Sequence, residues 1–188
     1  MRYKFTDTEI RKAMKSLTIL VDSREKGNDN IIKWLESNKI PYKVTALDHG
    51  DYSAYIPSGV LKGVDRDIYF DKDIVIEKKA GIDELAGNFS KQDTPRLKSE
   101  FAHLKKNNTR VFLFIENQLF DKHIRNGKYR SQYDPKTLYA RLKGLEAEYD
   151  TVIRPVSDEY MASEIYSTLY YFVRNKLIRE FDIVIENN

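Results

Sequence analysis

Between Asp73 and Lys79, three aliphatic residues, Ile74, Val75 and Ile76, run directly into Glu77-Lys78-Lys79. Branched side chains of this kind pack best on a pleated, half-buried surface, so the run predicts a short buried strand. Its charged end is the stronger constraint. Residues i and i+2 of a strand point the same way, so Glu77 and Lys79 project together from one face. A carboxylate beside an ammonium group at a strand end can hold a metal ion and orient a water next to it. The partner carboxylate is Asp51 in Gly50-Asp51-Tyr52, where Gly50 permits a tight turn. Asp followed by Glu-x-Lys is the arrangement of metal-dependent nucleases, although the bare pattern also arises by chance in lysine-rich chains.

Length and composition narrow the chemistry. The chain of 188 residues fits one domain with its own core. It carries 32 Lys and Arg against 29 Asp and Glu, a net charge of +3, so any nucleic-acid affinity must come from a local patch. Cysteine is absent and there are only 3 His, which excludes disulfides and thiolate metal sites and disfavours zinc. A bound metal is therefore expected to be a hard cation on oxygen ligands, Mg²⁺ or Mn²⁺. The charged start gives no sign of a secretory signal. No apolar run approaches the roughly 20 residues that span a bilayer. The expectation is a soluble, intracellular, cytoplasmic chain.

In order, residues 1–16 form a polar lead-in, and residues 17–188 carry the domain. Thr18–Val21 is a buried strand ending in the charged Asp22-Ser23-Arg24-Glu25. Asn28 or Asp29 caps a helix through Ile31, Ile32 and Leu35. A strand through Tyr42, Val44 and Leu47 follows. Residues 52–56 and 67–76 form a long hairpin. After Lys79 comes a short helix, then an amphipathic one on Leu97, Phe101 and Leu104. Val111–Ile115 is a strand, and 117–133 is a loop rich in Lys, Arg and Tyr. Asp134-Pro135 starts a helix through Leu138, Leu142, Leu145 and Tyr149. Residues 151–153 form a third buried strand closed by Pro155. Ser157 caps a final helix to about Arg179, and a terminal strand covers 181–185. Helices alternating with short buried strands predict an α/β fold with a mixed sheet. The final helix carries two adjacent apolar stripes, one on Met161, Ile165, Leu169 and Phe172, the other on Ala162, Tyr166, Val173 and Leu177. That width suits either deep burial or a face shared with another chain.

Taken together, Val21-Asp22-Ser23-Arg24-Glu25, Gly50-Asp51-Tyr52 and Ile76-Glu77-Lys78-Lys79-x-x-x-Asp83 resemble the nuclease domain of XPF-type structure-specific endonucleases, including the archaeal Hef nuclease. That family carries V-D-x-R-E, G-D-[YF] and E-R-K-x-x-x-D in this order. Arg96-Leu97 and the Val111–Glu116 strand match as well, so the resemblance covers residues 17–178. It differs in having Lys78 in place of Arg, a loss of the guanidinium fork. The stretch from Asp51 to Glu77 is longer, with 57–72 as an insertion. Room is lacking for the helix-hairpin-helix or helicase modules of many relatives.

The resemblance implies a restriction-endonuclease-like mixed central sheet flanked by helices. It implies Mg²⁺-dependent cutting of DNA at flaps, forks or junctions, as in DNA repair and recombination, by a dimer, here expected to be a homodimer, joined through its C-terminal helices. Asp51 and Glu77 are then metal ligands, with Asp22 completing or supporting the site directly or through water. Lys79 positions the attacking water. Arg24 and Lys78 touch phosphate, Glu25 braces Arg24, and Asp83 supports the site or a helix N-terminus. Arg96 and Lys98 follow the DNA backbone. The alternative is a catalytically weak DNA-binding subunit that partners an active nuclease. A small-molecule phosphohydrolase ranks lower, because Gly59 and Gly63 form no phosphate-cradling loop.

Overall fold

The computed structural model describes residues 2–3, 5–89, 94–179 and 183–184. The chain runs β1 (Arg2–Tyr3), α1 (Asp7–Lys15), β2 (Thr18–Asp22), α2 (Asp29–Ser37), β3 (Tyr42–Thr45), β4 (Tyr52–Ile56), β5 (Ile68–Tyr69) and β6 (Ile74–Lys79). It continues through α3 (Ile82–Asn88), α4 (Thr94–Lys106), β7 (Arg110–Glu116), α5 (Phe120–Arg125), α6 (Pro135–Tyr149), β8 (Val152–Val156), α7 (Asp158–Arg179) and β9 (Ile183–Val184). A seven-stranded mixed sheet has the order β3-β2-β4-β6-β7-β8, with β5 paired to β4. Strand β4 runs antiparallel to β2 and β6, whereas β6, β7 and β8 are parallel. This is the α/β architecture expected from the alternating elements.

Strand alternation divides the core into two layers. Ile74 and Ile76 of β6 and Phe114 of β7 join Ile10, Leu35, Ile165 and Leu169 on the side of α1, α2 and α7. Val75 of β6 and Val111, Leu113 and Ile115 of β7 join Leu85, Leu104, Leu138 and Leu142 on the side of α3 to α6. A strand buried on both faces reads as a continuous apolar run, which is why 74–76 and 111–115 show no polar alternation. The same period carries past the core. Glu77 follows Val75 toward the α4 side, and Lys78 follows Ile76 toward the α2 and α7 side.

Several elements depart from the sequence expectation. The lead-in forms α1, closed by a reciprocal Thr6–Glu9 capping box, and buries Ile10, Ala13 and Met14 in the core. The long second strand of the hairpin divides. Only Ile68 and Tyr69 pair with β4 beyond the turn, and β6 touches β4 at the single pair Tyr52–Ile76. The 57–72 insertion is not a solvated excursion, because Leu61 and Phe70 are fully buried. The 117–133 loop contains α5, whose Phe120 and Ile124 pack inward. Strand β8 continues through Pro155 to Val156, which an edge strand tolerates because proline's missing N–H can face away from the ladder. Of the expected terminal strand, Ile183 and Val184 pair with β1, and residues 181, 182 and 185 lie outside the described residues. Helix α7 buries Met161, Ala162, Ile165, Leu169, Val173 and Leu177 in its own core, while Phe172 and Tyr166 are half-buried and Tyr171 is exposed.

Tyr52 is fully buried, and among the described residues its hydroxyl has no hydrogen-bond partner. Burial pushes its ionisation far upward, with the Glu25 and Asp51 carboxylates adding to the effect. A buried hydroxyl without a partner forfeits its solvation. Tyr52→Phe is therefore expected to be neutral or to stabilise by up to about 1 kcal/mol. At this chain length that is a rise in Tm of roughly 2–4 °C. A fall of that size in thermal melts would mean that the hydroxyl is satisfied in solution.

Candidate active site

Gly50 sets the geometry at the sheet's centre. Its φ of +71° lies in the left-handed region, and a Cβ there would stand 2.8 Å from the Cβ of Val75 and 3.2 Å from the carbonyl of Ile76. Only glycine lets the turn come this close to β6. The next residue then bridges two strands. The Asp51 N–H donates to the Ile76 carbonyl at 2.8 Å, and the Asp51 carbonyl accepts from the Asp22 N–H at 2.8 Å. The Asp51 side chain reaches the end of β6, where its Oδ2 accepts the Lys78 N–H at 2.7 Å.

On the face shared with α4, Lys79 Nζ donates to Glu77 Oε1 at 2.7 Å and lies 3.4 Å from Glu84. Asp51 and Glu77 line one open cleft of about 760 Å³ with Asp22, Arg24, Glu25, Asp48, His49, Gly50, Arg96, Ser99, Glu100 and His103. Burial pushes the Asp51 carboxyl up to about 8, and the nearby Glu77 carboxylate pushes in the same direction. Burial also raises Glu77, although the Lys79 ammonium pulls it back. Burial opposes the charge on Lys79, but Glu77 overrides it and holds the ammonium protonated well above its usual range. Two desolvated carboxylates, with Asp51 raised further by Glu77 and Glu77 by Glu100 and Glu84, are a site short of positive charge.

Asp22 is nearly sealed, and the Arg24 side chain grips both of its oxygens, with Nε to Oδ1 at 3.0 Å and Nη2 to Oδ2 at 2.6 Å. Arg24 also donates to the Leu47 carbonyl. Burial raises the Asp22 carboxyl, but the hydrogen bonds and charge of Arg24 outweigh that and hold it below its ordinary value. In the structure Asp22 lines the cleft with both oxygens engaged by Arg24. One expectation is corrected: Glu25 does not hold Arg24. Glu25 instead faces Lys78, whose Nζ lies 3.7 Å from Glu25 and 3.8 Å from Glu116. Lys78, with a side chain only 6% exposed, is not among the residues lining the cleft. Strand alternation is the cause.

Arg96 does line the cleft. Lys98, two residues on, does not. It faces α6, with Nζ 4.0 Å from Glu148. Asp83 lies off the cleft too, and its Oδ1 accepts the N–H groups of Arg130 at 2.7 Å and Ser131 at 2.8 Å. Those bonds hold its carboxyl below the ordinary value. Sequence spacing around the acids does not single out His49, Ser99, Glu100 or His103. His49 Nδ1 lies 3.4 Å from Glu100, and the His49 and His103 ring centres are 5.1 Å apart. The usable signal was the helical period of α4: Arg96, Ser99, Glu100 and His103 fall at i, i+3, i+4 and i+7, on the face beside Leu97, Phe101 and Leu104.

Among the described residues, no three His, Asp or Glu side chains lie close enough to hold an ion by themselves. The donors nonetheless fit Mg²⁺ or Mn²⁺. Mg²⁺ commonly rests on one or two carboxylates plus waters and substrate phosphates rather than in an all-protein cage. Beyond the bonds described, Asp51 Oδ1 and Glu77 Oε2 accept no hydrogen bond among the described residues.

The mixed sheet flanked by helices is an α/β domain of the XPF nuclease type. The ERCC4 domain family matches residues 21–169, and the chain belongs to that family. Two solved structures are similar in fold. One is XPF from Aeropyrum pernix, at 21% identity and a TM-score of 0.59, covering 85% of this chain and 66% of that one. The other is XPF from Aeropyrum pernix in complex with DNA, at 19% identity and a TM-score of 0.55, covering 88% and 68%. The chain thus spans about two thirds of the length of either. No curated protein sequence matches it. No described helix is long and apolar enough to cross a membrane.

Proposed function

We propose that this protein is a divalent-metal-dependent DNA endonuclease that cuts branched or otherwise structured DNA. One observation carries the reading: Asp51 and Glu77 sit half-buried together in an open cleft, each raised by desolvation, with Lys79 hydrogen-bonded to Glu77. Membership of the ERCC4 family and the fold shared with an XPF solved in complex with DNA support it. Asp51 and Glu77 would hold Mg²⁺ or Mn²⁺, and Asp22 serves through Arg24. When bound, such an ion polarises the phosphate and lowers the pKa of a coordinated water. Lys79 offsets charge that develops on the phosphate and orients the water, at a site already desolvated. Arg24 and Arg96 both line the cleft and present cations to the flanking phosphates.

The protein is expected to act as a homodimer through α7, whose Tyr160 and Tyr171 are 58% and 62% exposed. Sedimentation of the full chain at micromolar concentration checks this, and a monomer at all concentrations would count against it. The cleavage test uses flap, fork, four-way-junction and linear DNA with Mg²⁺, Mn²⁺ or EDTA. Metal-dependent cuts mapped next to branch points are the expected result. Binding without cutting under every metal would instead favour the non-catalytic partner subunit.

A further inference from the structure

The charged segment after α5 is fixed to the active-site end of the sheet by Asp83. Asp83 stands four residues beyond Lys79, and its neighbour Glu84 lies 3.4 Å from Lys79 Nζ. Its Oδ1 accepts two consecutive backbone N–H groups, those of Arg130 and Ser131. Two further contacts fix the segment. Tyr129 donates its hydroxyl to the Tyr133 carbonyl at 2.8 Å, and Tyr133 donates to the Phe89 carbonyl at 3.3 Å. Both rings pack on the core of the α3–α6 layer. The tyrosines are therefore committed to holding the loop and are no platform for stacked bases. What the loop displays is charge. The Arg130 side chain is 94% exposed, touching Asp83 Oδ2 only through Nε at 3.4 Å, and Lys128 is exposed beside it. The nearest acid along the chain, Asp134, is committed to capping α6 through the Thr137 N–H and hydroxyl.

We infer that Lys128 and Arg130 form a second phosphate-binding surface, reached by the DNA backbone as it leaves the cleft past Lys79 and α3. The inference rests on the nuclease reading above. It assigns Asp83 as a positioning residue that sets the loop, with no part in the chemistry. Contact through exposed cations alone is independent of base sequence and releases counterions, so it has a salt signature.

The test measures binding of the full chain to a forked duplex by fluorescence anisotropy in EDTA, across a salt series. Neutralising one phosphate contact changes the slope of log K against log salt by about 0.9 on duplex DNA. Arg130→Ala is expected to lower the slope by about that amount, and Lys128→Ala/Arg130→Ala by about twice it. Lys33→Ala, at an exposed cation on α2, should leave it unchanged. In cleavage assays the double variant should raise KM with kcat preserved. Asp83→Ala should reproduce part of the slope loss with both cations still present. An unchanged slope in the double variant, or an equal loss from Lys33→Ala, overturns the inference while wild-type cleavage leaves the nuclease reading standing. Wild-type protein that neither binds nor cuts DNA overturns both.

Discussion

Asp51→Asn is expected to lower metal-dependent cleavage by more than about a hundredfold. Loss of an outer-shell partner of a metal ligand already costs roughly 10–100-fold, and a ligand should cost more. The amide oxygen can still accept the Lys78 N–H, so local structure should persist. Glu77→Gln should show the same loss of activity for the same reason. The effect on stability should run the other way. Asp51 has an ordinary value of 3.8 and is pushed up to about 8 by burial, then by Glu77. Between those values the folded protein keeps a proton that the unfolded chain has released. Stability of the metal-free protein should therefore fall as pH rises through this window and level off above it. Asn removes that penalty, so the variant should melt above wild type at pH 8 to 9 in EDTA. Added Mg²⁺ should raise the wild-type Tm at that pH and leave the variant unmoved. Full cleavage by Asp51→Asn, with melting that responds to Mg²⁺ as wild type does, would falsify the ligand assignment.

Gly50→Ala should give the largest loss of stability from a single methyl group. The left-handed conformation at φ +71° costs a non-glycine residue about 1–2 kcal/mol. The added Cβ also meets Val75 Cβ at 2.8 Å and backbone at 3.2 Å, neither of which can swing aside. Overpacking of this kind adds about 1–3 kcal/mol. At about 2–4 °C per kcal/mol, the fall in Tm should be on the order of ten degrees. Because the same turn carries the Asp51 backbone bonds to β2 and β6, activity should drop even where the variant still folds. Gly59→Ala is the control, since nothing lies within 4 Å of a Cβ there and only the positive φ is shared. Equal melting of the two variants would show that close approach to β6 is not what glycine provides.

The strand runs, the helix at 135–149 and the long α7 were legible in the sequence because each is set by local periodicity and capping. Asp134 followed by Pro135 marks its helix start without tertiary help, and its side chain does accept the Thr137 N–H. The fusion of Asp51 with Glu77 was legible in outline, since Gly-Asp and Glu-x-Lys carry their own turn and alternation rules. Helix α5 was hidden because its charged surface masks the two inward residues, Phe120 and Ile124.

Residue type and spacing alone determined which groups bear charge and which face of β6 each one leaves. They did not determine what each charge meets. Asp22 and Asp51 are both acids at strand ends, yet one is closed by Arg24 and the other is open beside Glu77. Lys78 and Lys79 are neighbours, yet one is buried between Glu25 and Glu116 while the other reaches Glu77. Partners of this kind come from segments far apart in the chain, so only the packed sheet decides them: desolvation and Coulomb energy depend on distance in space, which sequence order does not record.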